Sequence, residues 1–185
     1  MRIILASGSP RRRQLLEDAG FKFEVIESHV DEDAKGDCAL RVEVLARRKA
    51  EAVREKAGDD GGIIAADTLV SIWGRVLEKP ACPAEAFWML TLLSGNKHTV
   101  FTGVAIVHSN RIISFVESTD VYFRNLTDAE INDYIDTGEP FDKAGAYGIQ
   151  GRGAMLVSRI EGCFYAVMGL PLARLFTELR SIQHD

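Results

Sequence analysis

The sequence predicts an α/β domain in which a mixed β-sheet is flanked by helices. Short apolar runs typical of strands alternate along the chain with longer amphipathic stretches typical of helices. Strands separated by helices favour parallel pairing, whereas tight turns between strands impose antiparallel pairing, and this chain shows both arrangements. Its 185 residues correspond to one domain, residues 1–185, which is long enough to bury a substantial core.

The chain begins with a strand that leads through a short turn into a helix. Residues 2–6 are mostly apolar and predict a buried strand. Ser9 suits the N-cap of the next helix, and Pro10 suits its first turn because the N–H that proline lacks would be unpaired there. Gly20 predicts the end of that helix, since glycine readily adopts the left-handed backbone of a helix C-terminus.

An alternating pattern and an acidic loop separate this helix from the next one. Apolar and polar residues alternate over residues 21–27, which predicts a second strand, and residues 28–37 form an acidic loop. Apolar residues at helical spacing then indicate a second helix, which is expected to stop at Gly58. These apolar positions are Leu40, Val44, Leu45 and Val53.

The middle of the chain predicts a strand, a hairpin and a helix. Residues 63–66 are a short buried strand that is expected to end at Asp67. Residues 69–77 contain two apolar segments separated by a glycine turn, which predicts a hairpin. Residues 83–93 begin with proline and predict a helix.

The last third predicts two long strands, two helices and a further strand. The long strands cover residues 99–107 and 112–123. Thr127 and Glu130 have the spacing of a capping box, in which each side chain accepts the backbone N–H of the other residue at the start of a helix. The final elements are a strand over residues 155–160 and a helix over residues 171–182.

The composition excludes several functional classes. The formal net charge is −5, with 22 Lys and Arg against 27 Asp and Glu, whereas proteins that bind nucleic acid polymers through their phosphates are usually basic. No stretch approaches the roughly 18 apolar residues of a membrane span, so no membrane association is expected. Three widely spaced cysteines indicate neither a disulfide framework nor a zinc site, and they fit a reducing, cytoplasmic location.

A candidate anion-binding site lies where the first strand turns into the first helix. The free N–H groups and the dipole of a helix N-terminus attract negative charge. Two hydroxyls, Ser7 and Ser9, precede this helix, and Arg11 and Arg12 lie in its first turn, where a cation opposes the dipole unless an anion compensates. The alternative is a solvated basic helix start with Ser9 as an ordinary cap.

Asp67 and the acidic loop supply carboxylates for metal or proton chemistry. Asp67 follows an apolar strand at the edge where open α/β sheets place their ligands, and it suits a hard cation or a proton acceptor. Asp31, Glu32 and Asp33 offer a second carboxylate for the same cation. The alternatives are a turn-forming aspartate and a solvated charged loop.

Two lysines and a glycine-rich segment complete the candidate residues. Lys49 lies inside the second helix, and Lys79 precedes a proline that favours an extended backbone, so each ammonium is either a phosphate ligand or an ordinary surface group. Residues 138–151 carry four glycines, which let the backbone approach a ligand closely. In this segment Tyr147 suits an apolar wall and the Gln150 amide suits a base edge, the alternative being a flexible connector.

Together these segments resemble the Maf family of nucleoside triphosphate pyrophosphatases over nearly the whole chain and in the family's order. The motifs are residues 7–12, residues 65–68, Glu78-Lys79-Pro80, Ser94-Gly95 with His98 and Thr102-Gly103, residues 142–151, and Gly169-Leu170-Pro171. Ala-Asp-Thr at residues 66–68 and Gly-Ile-Gln-Gly at residues 148–151 resemble the subfamily that hydrolyses dTTP and UTP. The 7-methyl-GTP subfamily differs at the positions of Thr68 and Gln150.

The resemblance implies a fold, a reaction and a cofactor. The fold would be similar to that of inosine-triphosphate pyrophosphatase, with a long bent mixed sheet and two lobes around a cleft, often in a homodimer. The reaction would be hydrolysis of dTTP and UTP, and by extension of modified pyrimidine nucleotides, to the monophosphate and pyrophosphate. A divalent cation, Mg²⁺ or Mn²⁺, would assist the attack of water on the α-phosphorus.

The resemblance also assigns roles to individual residues. Asp67 resembles the family's proton acceptor, and Glu32 matches an acidic position in the loop after the second strand, where we expect it to hold the metal together with Asp67. Other positions match those that line the triphosphate or govern substrate choice. The first set is Ser7, Arg11, Arg12, Lys49 and Lys79, and the second is Arg11, Thr68 and Gln150.

Two other functions stay open at this point. One is hydrolysis of a purine or another modified nucleotide on the same fold, which a panel of triphosphates would distinguish. The other is a nucleotide-binding regulator of cell division without turnover, which the presence of Asp67 disfavours. A nucleic-acid-binding module is disfavoured by the acidic net charge.

Overall fold

The computed structural model describes residues 2–57 and 61–184 and confirms an α/β fold with a mixed sheet. Within these residues seven strands form the sheet: Ile3–Leu5 (β1), Glu24–Val25 (β2), Gly62–Ile72 (β3), Arg75–Leu77 (β4), Lys97–His108 (β5), Arg111–Phe123 (β6) and Val157–Glu161 (β7). Their order is β2-β1-β3-β5-β6-β7, with β4 paired to β3. Strand β1 runs parallel to β2 and β3, whereas the β3–β4 and β6–β7 pairs are antiparallel, so both kinds of pairing occur as predicted.

Six helices accompany the sheet in the described part of the chain. They are Pro10–Asp18 (α1), Cys38–Ala57 (α2), Pro83–Leu93 (α3), Asp128–Ile135 (α4), Phe164–Val167 (α5) and Leu172–His184 (α6). Short 3-10 turns cover Glu139–Asp142, Ala144–Ala146 and Gly151–Leu156. None of the described helices is long and apolar enough to cross a membrane.

The chain divides into two compact units, and β3, β5 and β6 contribute residues to both. The first unit comprises Met1–Asp67, Thr102–Glu117 and Gly169–Asp185, and its core contains apolar residues of β1, α2, β3 and β5. The second unit comprises Thr68–Phe101 and Ser118–Met168, and its core gathers apolar residues of α3, α4 and the strands around them. The single domain over residues 1–185, with two lobes around a cleft, stays a prediction of the family resemblance.

Helix α1 has the predicted bounds, but its N-cap works differently from the prediction. Ser9 occupies the N-cap position with an extended backbone, yet its side chain makes no capping hydrogen bond. The Ser7 hydroxyl instead accepts the Ser9 backbone N–H at 3.2 Å, so Ser9 has the predicted N-cap position but does not cap the helix with its side chain. Gly20 has a φ of 76° and donates its N–H to the Glu17 carbonyl, which ends the helix as predicted.

The second predicted strand is much shorter than residues 21–27. Only Glu24 and Val25 pair with β1, opposite Ile4 and Leu5, because β1 itself is three residues long. Residues 28–37 form no helix or strand, as predicted for the acidic loop.

Helix α2 buries a stripe that differs in part from the predicted one. Leu45 and Val53 are buried as expected, but Leu40 is 49% exposed and Val44 is only half-buried. The buried positions recur at helical spacing and are Val42, Leu45, Ala46, Lys49, Ala50 and Val53. Lys49 therefore lies on the packed face of the helix. The predicted stop at Gly58 lies outside the described residues.

The second half of the chain follows the prediction more closely. Helix α3 has the predicted bounds, and the capping box forms at α4, where Thr127 Oγ1 accepts the Glu130 N–H and Glu130 Oε2 accepts the Thr127 N–H at 2.8 Å. The strand predicted over residues 155–160 begins two residues later, because residues 151–156 form a 3-10 turn. Strong local signals, a proline start and a capping box, explain the agreement.

Candidate active site

Asp67 lies in the middle of β3 and not at its end. The short strand predicted to end at Asp67 continues to Ile72, because the residues after Asp67 are also largely apolar and buried. Pairing of β3 with β1 covers residues 62–64, whereas pairing with β4 begins at Val70. Asp67 therefore lies beyond the carboxyl end of the neighbouring strand β1. The strand end predicted at Asp67 is thus the end of β1 and not of β3.

Lys49 joins two carboxylates from different segments of the first unit. Lys49 and Asp67 are only 9% and 8% exposed, and Lys49 Nζ lies 2.6 Å from Asp67 Oδ1. The same Nζ lies 2.6 Å from Oε1 of Glu32, an exposed residue of the acidic loop. One ammonium therefore holds both carboxylates, Glu32 from the loop and Asp67 from β3.

Gly103 allows α2 to pack closely enough for Lys49 to reach β3. A Cβ atom at this position of β5 would collide with the backbone carbonyl of Val42 and lie 2.8 Å from the Glu43 nitrogen. Only glycine therefore permits this contact between helix and strand. Gly103, noted in the sequence as part of a motif with Thr102, thus supports the site through packing.

Arg12 and Ser7 form a second polar group in the same unit. Arg12 Nη1 donates to Ser7 Oγ at 3.1 Å, and Arg12 Nε donates to the Gly169 carbonyl at 2.8 Å. Burial lowers the pKa of Arg12, while the negative charge of Asp67 raises it, so the guanidinium lies within electrostatic reach of that carboxylate. The start of α1 is therefore more than a solvated basic turn.

The remaining predicted residues are distributed between the two units. Arg11 is half-buried in the first turn of α1. Thr68, Lys79 and Gln150 belong to the second unit, where Thr68 is half-buried and the other two are exposed. The structure thus brings together the first-unit residues Ser7, Arg12, Glu32, Lys49 and Asp67, whereas the role of the second-unit residues stays a prediction.

Tyr147 is a core residue and does not form the predicted apolar wall. Its ring is buried and packs edge-to-face against His98 and Phe123. The Tyr147 hydroxyl and His98 Nε2 share a hydrogen bond of 2.7 Å. The segment around it is folded into 3-10 turns, so the alternative of a flexible connector is wrong.

Arg48 is a residue of this region that the sequence analysis missed. Its Nη1 donates to the Asp33 carbonyl at 2.7 Å and lies 3.5 Å from the Asp31 carbonyl. These two residues flank Glu32 in the acidic loop. Because backbone carbonyls accept the bonds, no residue type in the loop could have signalled this contact.

The carboxylates fit a hard divalent cation that takes most of its ligands from elsewhere. Among the residues that the structure describes, no three His, Cys, Asp or Glu side chains are grouped to hold a metal ion. Mg²⁺, however, commonly uses one or two carboxylates and completes its octahedral shell with water and substrate phosphates. Glu32 and Asp67, gathered on one ammonium, supply such a pair.

Comparisons with known protein sequences match almost the entire chain. A family model described as Maf-like protein covers residues 2–182. A dTTP/UTP pyrophosphatase of Carboxydothermus hydrogenoformans is 51% identical over 183 residues, which are 97% of this chain and 98% of that protein. A dTTP/UTP pyrophosphatase of Halalkalibacterium halodurans is 52% identical over 180 residues, 96% of this chain and 94% of that protein. The structure of the Staphylococcus aureus Ham1 protein is 15% identical, with a TM-score of 0.49, and covers 66% of this chain and 72% of that chain.

Proposed function

Because the chain belongs to the Maf family, we propose that it is a nucleoside triphosphate pyrophosphatase that hydrolyses dTTP and UTP to the monophosphate and pyrophosphate. The observation that carries this proposal is the Lys49 ammonium, which gathers Asp67 and Glu32 beside an arginine. The names of relatives about half identical over nearly their full length support the choice of substrates.

Cations of this chain are proposed to bind the triphosphate. The protein carries a net charge of −5, which repels an anionic substrate, so local positive charge must overcome that repulsion. Arg12 suits this task because Ser7 and the Gly169 carbonyl fix its guanidinium, and a fixed guanidinium contacts phosphate oxygens in a bidentate way. Arg11 and Lys79 are proposed as further phosphate ligands.

Asp67 is proposed to accept the proton of the water that attacks the α-phosphorus. In the absence of substrate its charge is balanced by Lys49. Phosphate oxygens compete for the Lys49 ammonium when a triphosphate binds, so one Asp67 oxygen becomes available as a base. The pyrophosphate that leaves is stabilised by the same cations that bound it. Most of the acceleration comes from positioning and charge stabilisation.

Mg²⁺ or Mn²⁺ is proposed as the cofactor, held by Glu32 and Asp67. When bound, a divalent cation neutralises phosphate charge and stabilises the leaving group. The meeting of the Glu32 and Asp67 carboxylates on one ammonium supports this assignment, since carboxylate oxygens are ligands that Mg²⁺ prefers.

Arg11, Thr68 and Gln150 are proposed to select the base. A Gln150 amide offers both a donor and an acceptor to the edge of uracil or thymine, and indifference to the thymine methyl needs only space.

A cytoplasmic location and a homodimer are part of the same proposal. The free thiols Cys38, Cys82 and Cys163 support a reducing compartment.

A panel of nucleotides tests the reaction and the substrate choice together. The purified protein is incubated with dTTP, UTP, CTP or GTP in Mg²⁺ or Mn²⁺, and monophosphate and pyrophosphate are quantified. We expect dTTP and UTP to be hydrolysed at the highest kcat/KM. Equal rates on all four nucleotides would remove the pyrimidine preference, and the absence of pyrophosphate with every nucleotide would overturn the proposed reaction.

A further inference from the structure

Glu139 and Tyr134 hold the two ends of the segment that carries Gln150. The Glu139 carboxylate accepts the Arg152 N–H at 3.1 Å and the Gly153 N–H at 3.4 Å. At the other end, the Tyr134 hydroxyl accepts the Gly148 N–H at 3.1 Å. Three backbone N–H groups of residues 148–153 are therefore fixed by two side chains that lie outside the segment.

The two anchoring side chains are themselves fixed and act on each other. Tyr134 is buried in the core of the second unit, and burial raises the pKa of its hydroxyl, with the neighbouring Glu139 charge raising it further. The hydroxyl therefore stays neutral at physiological pH. The Glu139 backbone is held by Thr137, whose hydroxyl accepts the Glu139 N–H, and by Lys143, whose ammonium donates to the Glu139 carbonyl at 2.6 Å.

The backbone of the segment closes tightly around these anchors. Gly151 has a φ of 63°, and a Cβ atom there would lie 2.9 Å from Glu139 Oε1. A Cβ atom at Gly153 would lie 2.8 Å from the Tyr134 hydroxyl and would collide with the Gly148 carbonyl. The glycines thus bring both ends of the segment together, so that residues 149–152 form a small loop with a fixed base.

Gln150 lies within this loop with its side chain exposed. Its amide makes no hydrogen bond to another residue in the described part of the chain, so contacts of its own do not orient it. The backbone that carries Gln150 is held on one side by Tyr134 and on the other by Glu139. An amide that reads a base edge must be held to within a fraction of an ångström, because hydrogen bonds weaken steeply with distance and angle.

We propose that Glu139 and Tyr134 are positioning residues that determine nucleobase selection by fixing the loop that presents Gln150. This inference rests on the proposed function, in which Gln150 contacts the base of a pyrimidine triphosphate. Neither residue contacts the triphosphate or the attacking water in this proposal. Their loss should therefore affect discrimination between bases more than turnover of the preferred one.

The test compares selectivity in Tyr134→Phe and Glu139→Gln. Each change removes or weakens acceptors for the loop N–H groups with little change of shape. We expect the ratio of kcat/KM for dTTP to that for CTP to fall about tenfold, the effect of one unsatisfied hydrogen bond. The controls Tyr165→Phe and Glu55→Gln make the same chemical changes at exposed positions and should leave the ratio unchanged.

A double-variant cycle with Gln150→Ala separates positioning from a merely structural role. If the anchors act through Gln150, its removal lowers selectivity in the wild-type background but has little further effect in Tyr134→Phe or Glu139→Gln. Additive effects would overturn the inference. Hydrogen exchange provides a readout independent of activity, since the amides of residues 148, 152 and 153 should exchange faster in the folded variants.

The outcomes also distinguish this inference from the proposed function. A wild-type protein that hydrolyses none of the nucleotides would overturn both. If both folded variants keep the pyrimidine preference of the wild type, the positioning role of Glu139 and Tyr134 would be overturned and the proposed function would stand. If Tyr134→Phe fails to fold, Glu139→Gln decides, because Glu139 is half-buried and lies in a surface turn.

Discussion

Lys49 Nζ lies 2.6 Å from Asp67 Oδ1, and both residues are less than one-tenth exposed. Glu32 approaches the same ammonium at 2.6 Å from the acidic loop. Removal of one partner of a buried ion pair leaves a charge with neither water nor a counter-ion around it. The stability of the first unit and the chemistry proposed for it are therefore linked through this pair.

Replacement of Lys49 by methionine should destabilise the protein. Lys49→Met removes the direct ion-pair partner of the buried Asp67 carboxylate, and we expect the free energy of unfolding to fall by about 3 kcal/mol, measured by urea denaturation. The double variant with Asp67→Asn should recover most of this loss, since no unpaired charge remains. A single variant as stable as the wild type would show that Asp67 does not depend on Lys49.

Asp67→Asn should abolish most activity while preserving the fold. The amide keeps the shape of the side chain and still accepts a hydrogen bond from Lys49, whose charge stays paired with Glu32, but it cannot take a proton from water. We expect kcat for dTTP to fall by roughly 10²-fold or more. Asp133→Asn, at an exposed position of α4, is the matched control. Turnover close to the wild-type value would assign proton transfer to another group.

Arg12→Ala should raise KM for dTTP by about tenfold, because a phosphate loses a charge-assisted hydrogen-bonding partner. Arg12→Lys keeps the charge without the planar fork and should recover only part of the affinity. Arg13→Ala removes the same charge from the next, exposed residue and should leave KM unchanged. If neither kcat nor KM changes in Arg12→Ala, the bonds to Ser7 and Gly169 serve only the fold.

Much of the fold could be predicted from local signals in the sequence. A proline start predicts α3, and the Thr127–Glu130 box predicts α4, because these signals act within one turn of helix. The continuity of β3 through Asp67 could not be predicted in this way. A carboxylate after an apolar run is typical of a strand end, and only the pairing with β1 and β4 shows where the neighbouring strands stop.

The candidate site was predictable in its residue types but not in its contacts. Arg12, Lys49 and Asp67 have chemistry that points to phosphate and proton transfer, and the structure groups them. Their actual partners depend on tertiary packing, since Lys49 is brought to β3 by the glycine contact between α2 and β5. The Gly169 carbonyl that fixes Arg12 has no signature in the sequence, because every residue has a carbonyl.

Arg48→Ala should loosen the acidic loop and weaken the site through Glu32. Arg48 binds the carbonyl of Asp33, next to Glu32, so its loss should speed hydrogen exchange of residues 28–37. We expect kcat/KM for dTTP to fall about fivefold, in line with a hydrogen bond worth about 1 kcal/mol. Arg47→Ala removes the same charge from the preceding exposed residue and should change neither quantity. Equal exchange in the two variants would show that Arg48 does not order the loop.

The stability of the protein should fall in mild acid because of His98. This residue is 1% exposed in the core of the second unit, and its Nδ1 has no hydrogen-bond partner among the described residues. Burial lowers the His98 pKa from 6.5 to about 4, although the charge of Asp120 opposes the shift. Between these two pH values the unfolded chain binds a proton that the folded protein does not, so the free energy of unfolding decreases as the pH falls.

The expected loss amounts to about 3 kcal/mol between pH 6.5 and pH 4, with no contribution from His98 above that range. Because carboxylates also titrate in this range, the measurement compares urea denaturation of the wild type with that of His98→Gln at each pH. The difference in stability between the two should narrow as the pH falls, since glutamine has no proton to bind. His29→Gln, at an exposed position, should follow the wild type throughout. If the free energies of unfolding of the wild type and His98→Gln change in parallel with pH, the folded protein accommodates a protonated His98. The buried hydrogen bond to Tyr147 would then not require a neutral imidazole ring.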